Sequence, residues 1–475
     1  MSLRVYDTRR RKKLPFEPLQ PKRTGMYVCG MTVQDKPHVG HMRYAVAGDV
    51  IRRYLESKGY DVTYVTNFTD IDDRIIDRAK KEGVPFEKVS ERNVKAFLTY
   101  SDLLNIKRAT HYPRATEHLP EIIALIQRLI EKKHAYAAGI DVYFDVHSYP
   151  KYGELSRRKL DDLRSGVRIE VGEAKRDPLD FTLWKGAKPG EPSWPSPWGP
   201  GRPGWHIECS AMAMKYLGET FDFHGGGQDL VFPHHENEIA QSEAATGRPF
   251  ARYWIENGLV LLRGAKMSKS LQHFFLIEDV AKTVEPEVIR FYLQSTQYRS
   301  PIEWNEDRLR EAGIAYARLR AALATGEKSG NGAAGKAPPE GKTKGLLDEA
   351  RKAEKLFEES MEDDFNSAKA QGHLFDLAKA INRVAESDRA SESERLALPE
   401  ATRTLRRLGE TLGLFWEGKR AEEVVPDEVQ DIVKQRDEAR LQKQWQRADE
   451  LRDRILSLGY LLEDQKGGTR ARRKL

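Results

Sequence analysis

The stretch GMYVCGMTVQDKPHVGHMRYAVAGDVIRRYLESKGYDVTYVTNF, residues 25–68, decides the fold. Gly25 to Gly30 is a short apolar run closed by Cys29 and Gly30, which predicts a strand. After the loop MTVQDKPHVGH, Val46, Val50, Ile51 and Tyr54 fall at helical spacing, with Lys58-Gly59 as a C-cap. DVTYVTNF, β-branched and aromatic, is a second strand. Strand, helix and strand with a short return predict a right-handed parallel βαβ unit. Ligands of such sheets bind beyond the carboxyl ends of the strands. Cys29, the His38-Val39-Gly40-His41 turn and Thr69 to Asp73 therefore share one rim. Backbone N–H groups at a helix N-terminus favour phosphate, and two imidazoles there could add donors as charge develops. The plainer reading is a surface turn with two solvated histidines. The aspartates of TDIDD, before RIIDRAKKEG, read equally as ordinary helix N-caps.

Downstream, GWHIECSAMAMKYLGETFDFHGGGQDLVFPHHENE occupies residues 204–238. It holds one of the chain's two cysteines, Cys209, and four of its twelve histidines. His234 and Glu238 are four apart on a helix that should follow Pro233, so they share a face. With Cys209 they make three zinc-type ligands, and Cys29 would close the set by joining two distant segments. The other reading makes both cysteines buried small hydrophobes, and spacing alone does not choose. FDFHGGGQDLVF reads as a strand entering a tight glycine loop, where missing side chains let a ligand approach the backbone. A plain turn is again the simpler alternative.

The chain has 475 residues and is 39% hydrophobic, enough for two to four domains. Two cysteines exclude a disulfide framework, and no apolar run reaches the roughly 18–20 residues of a spanning helix. MSLRVYDTRRRKK lacks an apolar segment of the secretory kind, so a cytoplasmic protein without a membrane anchor is expected. The net charge of +6 permits an anionic partner without demanding one. Residues 90–134 have a helical pattern, DVYFDV is a strand, and the segment ending KPGEPSWPSPWGPGRPGW reads as an insertion of structured turns. Tyr253 to Leu262 is strand-like and leads into Lys266-Met267-Ser268-Lys269-Ser270, two lysines able to clamp a polyphosphate. Helices follow from Glu285, interrupted by the low-complexity linker 326–345, expected to be mobile. The last unit reads as two charged helices and a short strand before the basic tail KGGTRARRKL.

These residues carry a family resemblance. HVGH at 38–41, KMSKS at 266–270, NFTDIDD and MEDDFN, together with WHIECS, HGGGQDL and FPHHENE in this order, resemble the motifs of cysteinyl-tRNA synthetases, class I aminoacyl-tRNA synthetases. The likeness runs nearly end to end. It implies a Rossmann-type α/β catalytic domain with a parallel sheet over 1–265, split by a connective insertion around 115–204. A signature-loop and stem-contact segment over 266–310 would follow, then a helical bundle over 311–412 and a small anticodon-binding domain over 413–475. By the same likeness, one Zn²⁺ would sit on Cys29, Cys209, His234 and Glu238, and Mg²⁺ would accompany ATP. His38, Gly40, His41, Gly226, Gly227, Asp229, Lys266 and Lys269 would contact ATP, with the two histidines and two lysines catalytic. Thr69, Trp205 and His224 would line the cysteine pocket.

The activity implied is activation of L-cysteine with ATP and transfer to the terminal adenosine of tRNA(Cys), by a monomer. Three departures from the family pattern stand out. Val39 replaces isoleucine, Gln272-His273 follows the lysine loop in place of Gly-Asn, and the tail lacks a tryptophan. The alternative is a paralogue transferring cysteine to a small amino sugar, which would share the catalytic motifs but lack the C-terminal unit.

Overall fold

The computed structural model describes residues 2–160, 175–262, 265–266, 275–330, 345–416, 427–442, 444–458, 460–465 and 468–473. Lys269, Gln272, His273 and the linker after residue 330 lie outside the described residues. The expected βαβ unit is present as strand Arg23–Val28, helix Val39–Ser57 and strand Asp61–Thr66. These strands belong to a four-stranded parallel sheet in the order 251–257, 221–227, 23–28, 61–66. Met26 pairs with Tyr64 on one side and Phe223 on the other. From Arg23–Val28 the chain goes first to one neighbour and, much later, to the other. The crevice beyond Val28 and Gly227 is therefore the place where ligands bind in such sheets.

The insertion differs from expectation. Beyond the one predicted strand it forms an antiparallel sheet of four, Ala135–Ala138, Asp141–Phe144, Phe181–Gly186 and Gly201–Pro203. Turn-rich as it is, GRP becomes a strand because Trp184 to Gly186 pair with it. The start of the chain is likewise a hairpin, Arg4–Asp7 with Lys12–Pro15, rather than a plain basic run. The glycine triplet also departs from the loop reading, since strand Phe221–Gly227 includes all three glycines.

Helices Glu306–Gly330, Leu346–Glu362, Ser367–Ala385 and Glu392–Thr411 form the bundle. The first reaches Gly330, so the beginning of the expected linker, 326–330, is helical. One hydrophobic core runs from Val5 and Met26 through Phe291 to Leu414 and Phe415. Leu414 and Phe415 thus belong to the bundle, and the C-terminal unit begins beyond them rather than at 413. That unit has helices Asp427–Leu441 and Trp445–Ser457 and its own small core around Val429, Ile432 and Ile455. Within the basic tail, Gly468–Arg473 pairs with Tyr460–Gln465 as a hairpin.

Two buried charges bind these parts together. Arg290, fully buried, donates to Asp49 Oδ2 at 2.6 Å and to the backbone oxygens of Leu104, Asn105 and Leu412 at 2.9–3.1 Å. Asp364, in the MEDDFN motif, accepts from Tyr6 N at 2.8 Å, Arg299 Nε at 2.6 Å and Tyr298 Oη at 3.0 Å. Its φ of +66°, followed by +52° at Phe365, is a strained left-handed pair. The hydrogen bonds hold that turn in place. Among the described residues no helix is long and apolar enough to cross a membrane.

Candidate active site and metal cluster

Cys29 follows the last residue of its strand, and its N–H donates to Gly225 O at 2.9 Å, fixing it at the crevice. Gly30 comes next because a Cβ there would run into the Asn67 carbonyl. Cys209 lies one turn into helix Trp205–Leu217. His234 and Glu238 share a face where the turn Val231–His235 passes into helix Glu236–Thr246. The four donor atoms of Cys29, Cys209, His234 and Glu238 all lie within 4.8 Å of one another, and all four residues are buried. A metal ion fits such a set. Ligands about 2.0–2.3 Å from a tetrahedral zinc are themselves about 3.3–3.8 Å apart.

The surroundings orient each donor. Glu238 Oε1 accepts from Cys29 Sγ at 3.2 Å and lies 3.0 Å from His234 Nε2, while Oε2 meets His224 Nε2 at 2.8 Å. His206 Nδ1 is 3.0 Å from His234 Nδ1. His224 stacks on Trp254, ring centres 4.2 Å apart. Burial pushes Glu238 up, but the His224 and His234 imidazoles outweigh it and hold the carboxyl well below its usual range. Burial likewise opposes the charge on His234, yet Glu238 and Cys209 raise it to about 10. The thiols split: burial and the neighbouring Cys209 drive Cys29 up, whereas the Cys29 and His234 hydrogen bonds bring Cys209 down against its burial.

A cavity of about 380 Å³ opens beside the cluster. Cys29 and Trp205 line it, as do His38, Gly40, His41, Gly227, Asp229 and the segment Asn257 to Val260. His38 is the N-cap of helix Val39–Ser57: its Nδ1 accepts from Gly40 N at 3.1 Å, and His41 Nδ1 accepts from His38 N at 3.2 Å. With both Nδ1 atoms accepting, each neutral ring carries its proton on Nε2. The rings stack at 3.7 Å and are half-buried, not the solvated pair of the plainer reading.

Other expected site residues lie elsewhere. Thr69, 2% exposed, turns its hydroxyl to Glu208 Oε2 at 3.2 Å, and His224, fully buried, is held between Glu238 and Trp254. Neither is on the cavity wall; of the three pocket residues expected, only Trp205 is, its ring 4.4 Å from that of His234. A Cβ on Gly226 would meet the His235 ring at 2.9 Å, so that glycine makes room for a histidine. Lys266 lies on the short strand Ala265–Lys266, paired with Leu261. Of the TDIDD aspartates, Asp72 caps helix Asp73–Glu82 and Asp70 accepts from Thr116. Sequence reading missed His206 as a support for His234, although WHIECS contains it, and Asn257 to Val260, which carry no motif of their own.

Residues 15–313 match the family of tRNA synthetases class I (C) catalytic domains, residues 356–416 the DALR domain, and residues 423–472 the cysteinyl-tRNA ligase anticodon binding domain. Cysteine--tRNA ligases from Geobacter metallireducens and Geobacter sulfurreducens are each 50% identical, and one from Syntrophotalea carbinolica 47%, with 99% of both chains covered every time. Among solved structures, Mycobacterium tuberculosis methionyl-tRNA synthetase in complex with methionyl-adenylate shares the fold at a TM-score of 0.62. It is 16% identical, over 82% of this chain and 91% of that one. A putative arginyl-tRNA synthetase from Campylobacter jejuni gives a TM-score of 0.59 at 14% identity, over 85% and 95%. With three family matches along its length and full-length relatives at half identity, the chain belongs to the cysteinyl-tRNA synthetases, the class I ligases that join cysteine to tRNA.

Proposed function

We propose that the enzyme activates L-cysteine with ATP in the crevice beside Cys29 and passes it to the terminal adenosine of tRNA(Cys). The observation that carries this is one cavity with a four-donor metal cluster at one end and a capped histidine pair along its wall. Two thiols, an imidazole and a carboxylate are a donor set suited to zinc. Cys29, Cys209, His234 and Glu238 would hold one such ion, which would supply a soft Lewis acid for a thiolate. His224 and His206 keep Glu238 and His234 oriented, as supporting residues beside metal ligands do. Trp205 walls the cysteine side, and Thr69 supports it from behind through Glu208.

In the first step the cysteine carboxylate attacks the α-phosphorus of ATP, and pyrophosphate leaves. His38 and His41 donate from Nε2 to phosphate oxygens, and Gly40 leaves the helix N-terminus open to them. Asp229 and Gly227, on the cavity wall, take the adenosine side together with Gly226. Lys266 and Lys269 neutralise the pyrophosphate, and Mg²⁺ accompanies the nucleotide. In the second step a ribose hydroxyl of the tRNA attacks the adenylate carbonyl, and AMP leaves. The catalytic domain, signature-loop segment, bundle and anticodon-binding unit act in one cytoplasmic monomer.

Aminoacylation of total tRNA with each of twenty amino acids, alongside metal analysis of the purified protein, tests this. Cysteine alone should be charged, with about one zinc per chain. Charging of another amino acid, or full activity in verified metal-free protein, overturns it.

A further inference from the structure

The wall of the active-site cavity from Asn257 to Val260 carries no sequence motif, yet it is hung along its length on a second segment. Gly258 N donates to Tyr298 O at 2.7 Å, Ile302 N to Leu259 O at 2.9 Å and Trp304 N to Leu261 O at 2.7 Å. Val260 and Leu261 pair in parallel with Ile302 and Glu303. At Gly258 the two backbones touch, since a Cβ there would lie 2.2 Å from Ser300 O. Asn257, 7% exposed on the same wall, has its Oδ1 without a hydrogen-bond partner among the described residues, a buried acceptor left over for a ligand. Where residues 297–301 sit therefore decides where this wall stands.

Two buried charges hold that segment, one from the signature helix and one from the bundle. Arg43, 1% exposed, lies two residues beyond His41 on helix Val39–Ser57. Its guanidinium donates to Thr296 Oγ1 at 2.8 Å and Ser300 O at 2.9 Å, and also to Leu293 O. Asp364, in the turn between helices Leu346–Glu362 and Ser367–Ala385, takes Tyr298 Oη and Arg299 Nε, and its backbone oxygen accepts from Gln297 Nε2 at 2.8 Å. Hydrogen bonds to charged groups are about twice as strong as neutral ones, so this frame is stiff. Neither side chain lines the cavity. We propose that Arg43 and Asp364 are positioning residues for ATP, which fix the wall Asn257 to Val260 relative to the histidine turn by way of residues 297–301. The proposal rests on the ATP-dependent activation proposed above. Because Arg43 and His41 share a helix, one guanidinium ties two linings of the cavity together. Among the described residues no hydrogen bond joins the four cluster donors to residues 297–301, so loosening the frame should spare cysteine.

The test is cysteine-dependent ATP–pyrophosphate exchange by the full chain, with ATP and cysteine varied in turn. Asp364→Asn keeps the turn, because asparagine adopts its φ of +66° readily, but removes the charge that holds Arg299. A misplacement of about 1 Å can cost about a hundredfold, and a partial shift of one wall should raise the KM for ATP about tenfold. The KM for cysteine and kcat should stay within twofold, the split expected when binding alone is lost. Arg43→Lys, whose ammonium cannot reproduce the fork, should act in the same direction. Should that variant fail to fold, Asp364→Asn decides the matter. Ser367→Ala is the control: its hydroxyl also joins the bundle to the catalytic side, at Gln294 O at 3.0 Å, but outside the frame. It should lower the melting temperature and leave the KM for ATP within twofold. An Asp364→Asn protein with an unchanged KM for ATP, or with both KM values raised alike, overturns the proposal. So does a Ser367→Ala protein whose KM for ATP rises as much, since general loosening would then explain the effect. Wild-type protein without any cysteine-dependent exchange would bring down the activation reading itself, a result read before any variant is compared.

Discussion

The two ends of the active-site cavity are built on opposite plans. At the four-donor cluster, Cys29, Cys209, His234 and Glu238 are at most 2% exposed, and a further layer of His224, His206 and Trp254 fixes them. Farther along the wall, His38 and His41 are half-buried, each ring nitrogen accepts from the backbone of the helix start, and the two rings stack on each other. The difference follows the task of each end. Cysteine and serine are nearly isosteric, and a purely apolar pocket separates a single-group difference by only about 10–200-fold. Discrimination by a soft metal needs donors that cannot rearrange. Handling ATP, as proposed, instead needs charge that can meet a leaving group, the role proposed for Lys266 and Lys269.

The hardest way to break this contrast is at the rigid end. Cys209→Ser should empty the cluster and lower cysteine-dependent pyrophosphate exchange by about a thousandfold, or about 4 kcal/mol. Metal analysis and exchange on the same sample check it, and zinc retained at full stoichiometry would refute the ligand role. For the proposed contact with pyrophosphate, Lys269→Ala should cost about a hundredfold in the exchange rate, about 3 kcal/mol, with ATP affinity changed only a few-fold. A loss carried wholly by ATP affinity would make that lysine a binding group rather than one acting as charge develops.

Neither end should need the C-terminal unit. A chain ending after Trp416, which spares the packed Leu414 and Phe415, should exchange pyrophosphate normally yet charge tRNA at least about tenfold less well. Intact charging by that chain would remove the RNA-reading role. The smallest effect sharpens the contrast away from the site, at a buried acid without the paired charges of the cluster. Burial raises Glu287 to about 7, despite the opposing Arg320 and the Tyr316 hydrogen bond. The folded protein therefore holds a proton between about pH 4.5 and 7 that the unfolded chain releases, and stability falls as pH rises through that window. Glu287→Gln should leave stability unchanged below about pH 4.5 and raise it by about 1 kcal/mol above pH 7. Denaturant midpoints at pH 5 and 8 that shift equally would contradict this.

Much of the site was legible because its chemistry is written in rare residue types. Two cysteines, a helical His–Glu spacing and an HxGH turn each restrict what a segment can do, and the structure brings the first two into one cluster. The central sheet was readable for a similar reason, since Met26 to Val28 and Val62 to Thr66 are buried runs with a helix of clear period between them. What escaped were strands made by their partners. Gly201–Pro203 has no strand preference of its own, and Arg4–Asp7 is short and partly charged. The work of Asp364 was also hidden, because its donors, Tyr6, Tyr298 and Arg299, are far from it in sequence. His224 and Thr69, expected at the pocket from the family resemblance alone, are buried, a position that spacing could not show.

The hydrogen bonds of Arg290 also set an order of events during synthesis. Its acceptors include Asp49, made long before it, and Leu412, made well over a hundred residues later. Domains generally fold as units, the N-terminal one first, while the ribosome is still adding about 5–20 residues each second. The sheet and the signature helix can therefore assemble early, but this guanidinium keeps an unmatched side until the last turn of the bundle leaves the ribosome. At those rates Leu412 follows Arg290 by about 6–24 seconds. For that interval the nascent enzyme has its metal donors and its histidine turn but not its closing bolt, and water must stand in for the Leu412 carbonyl.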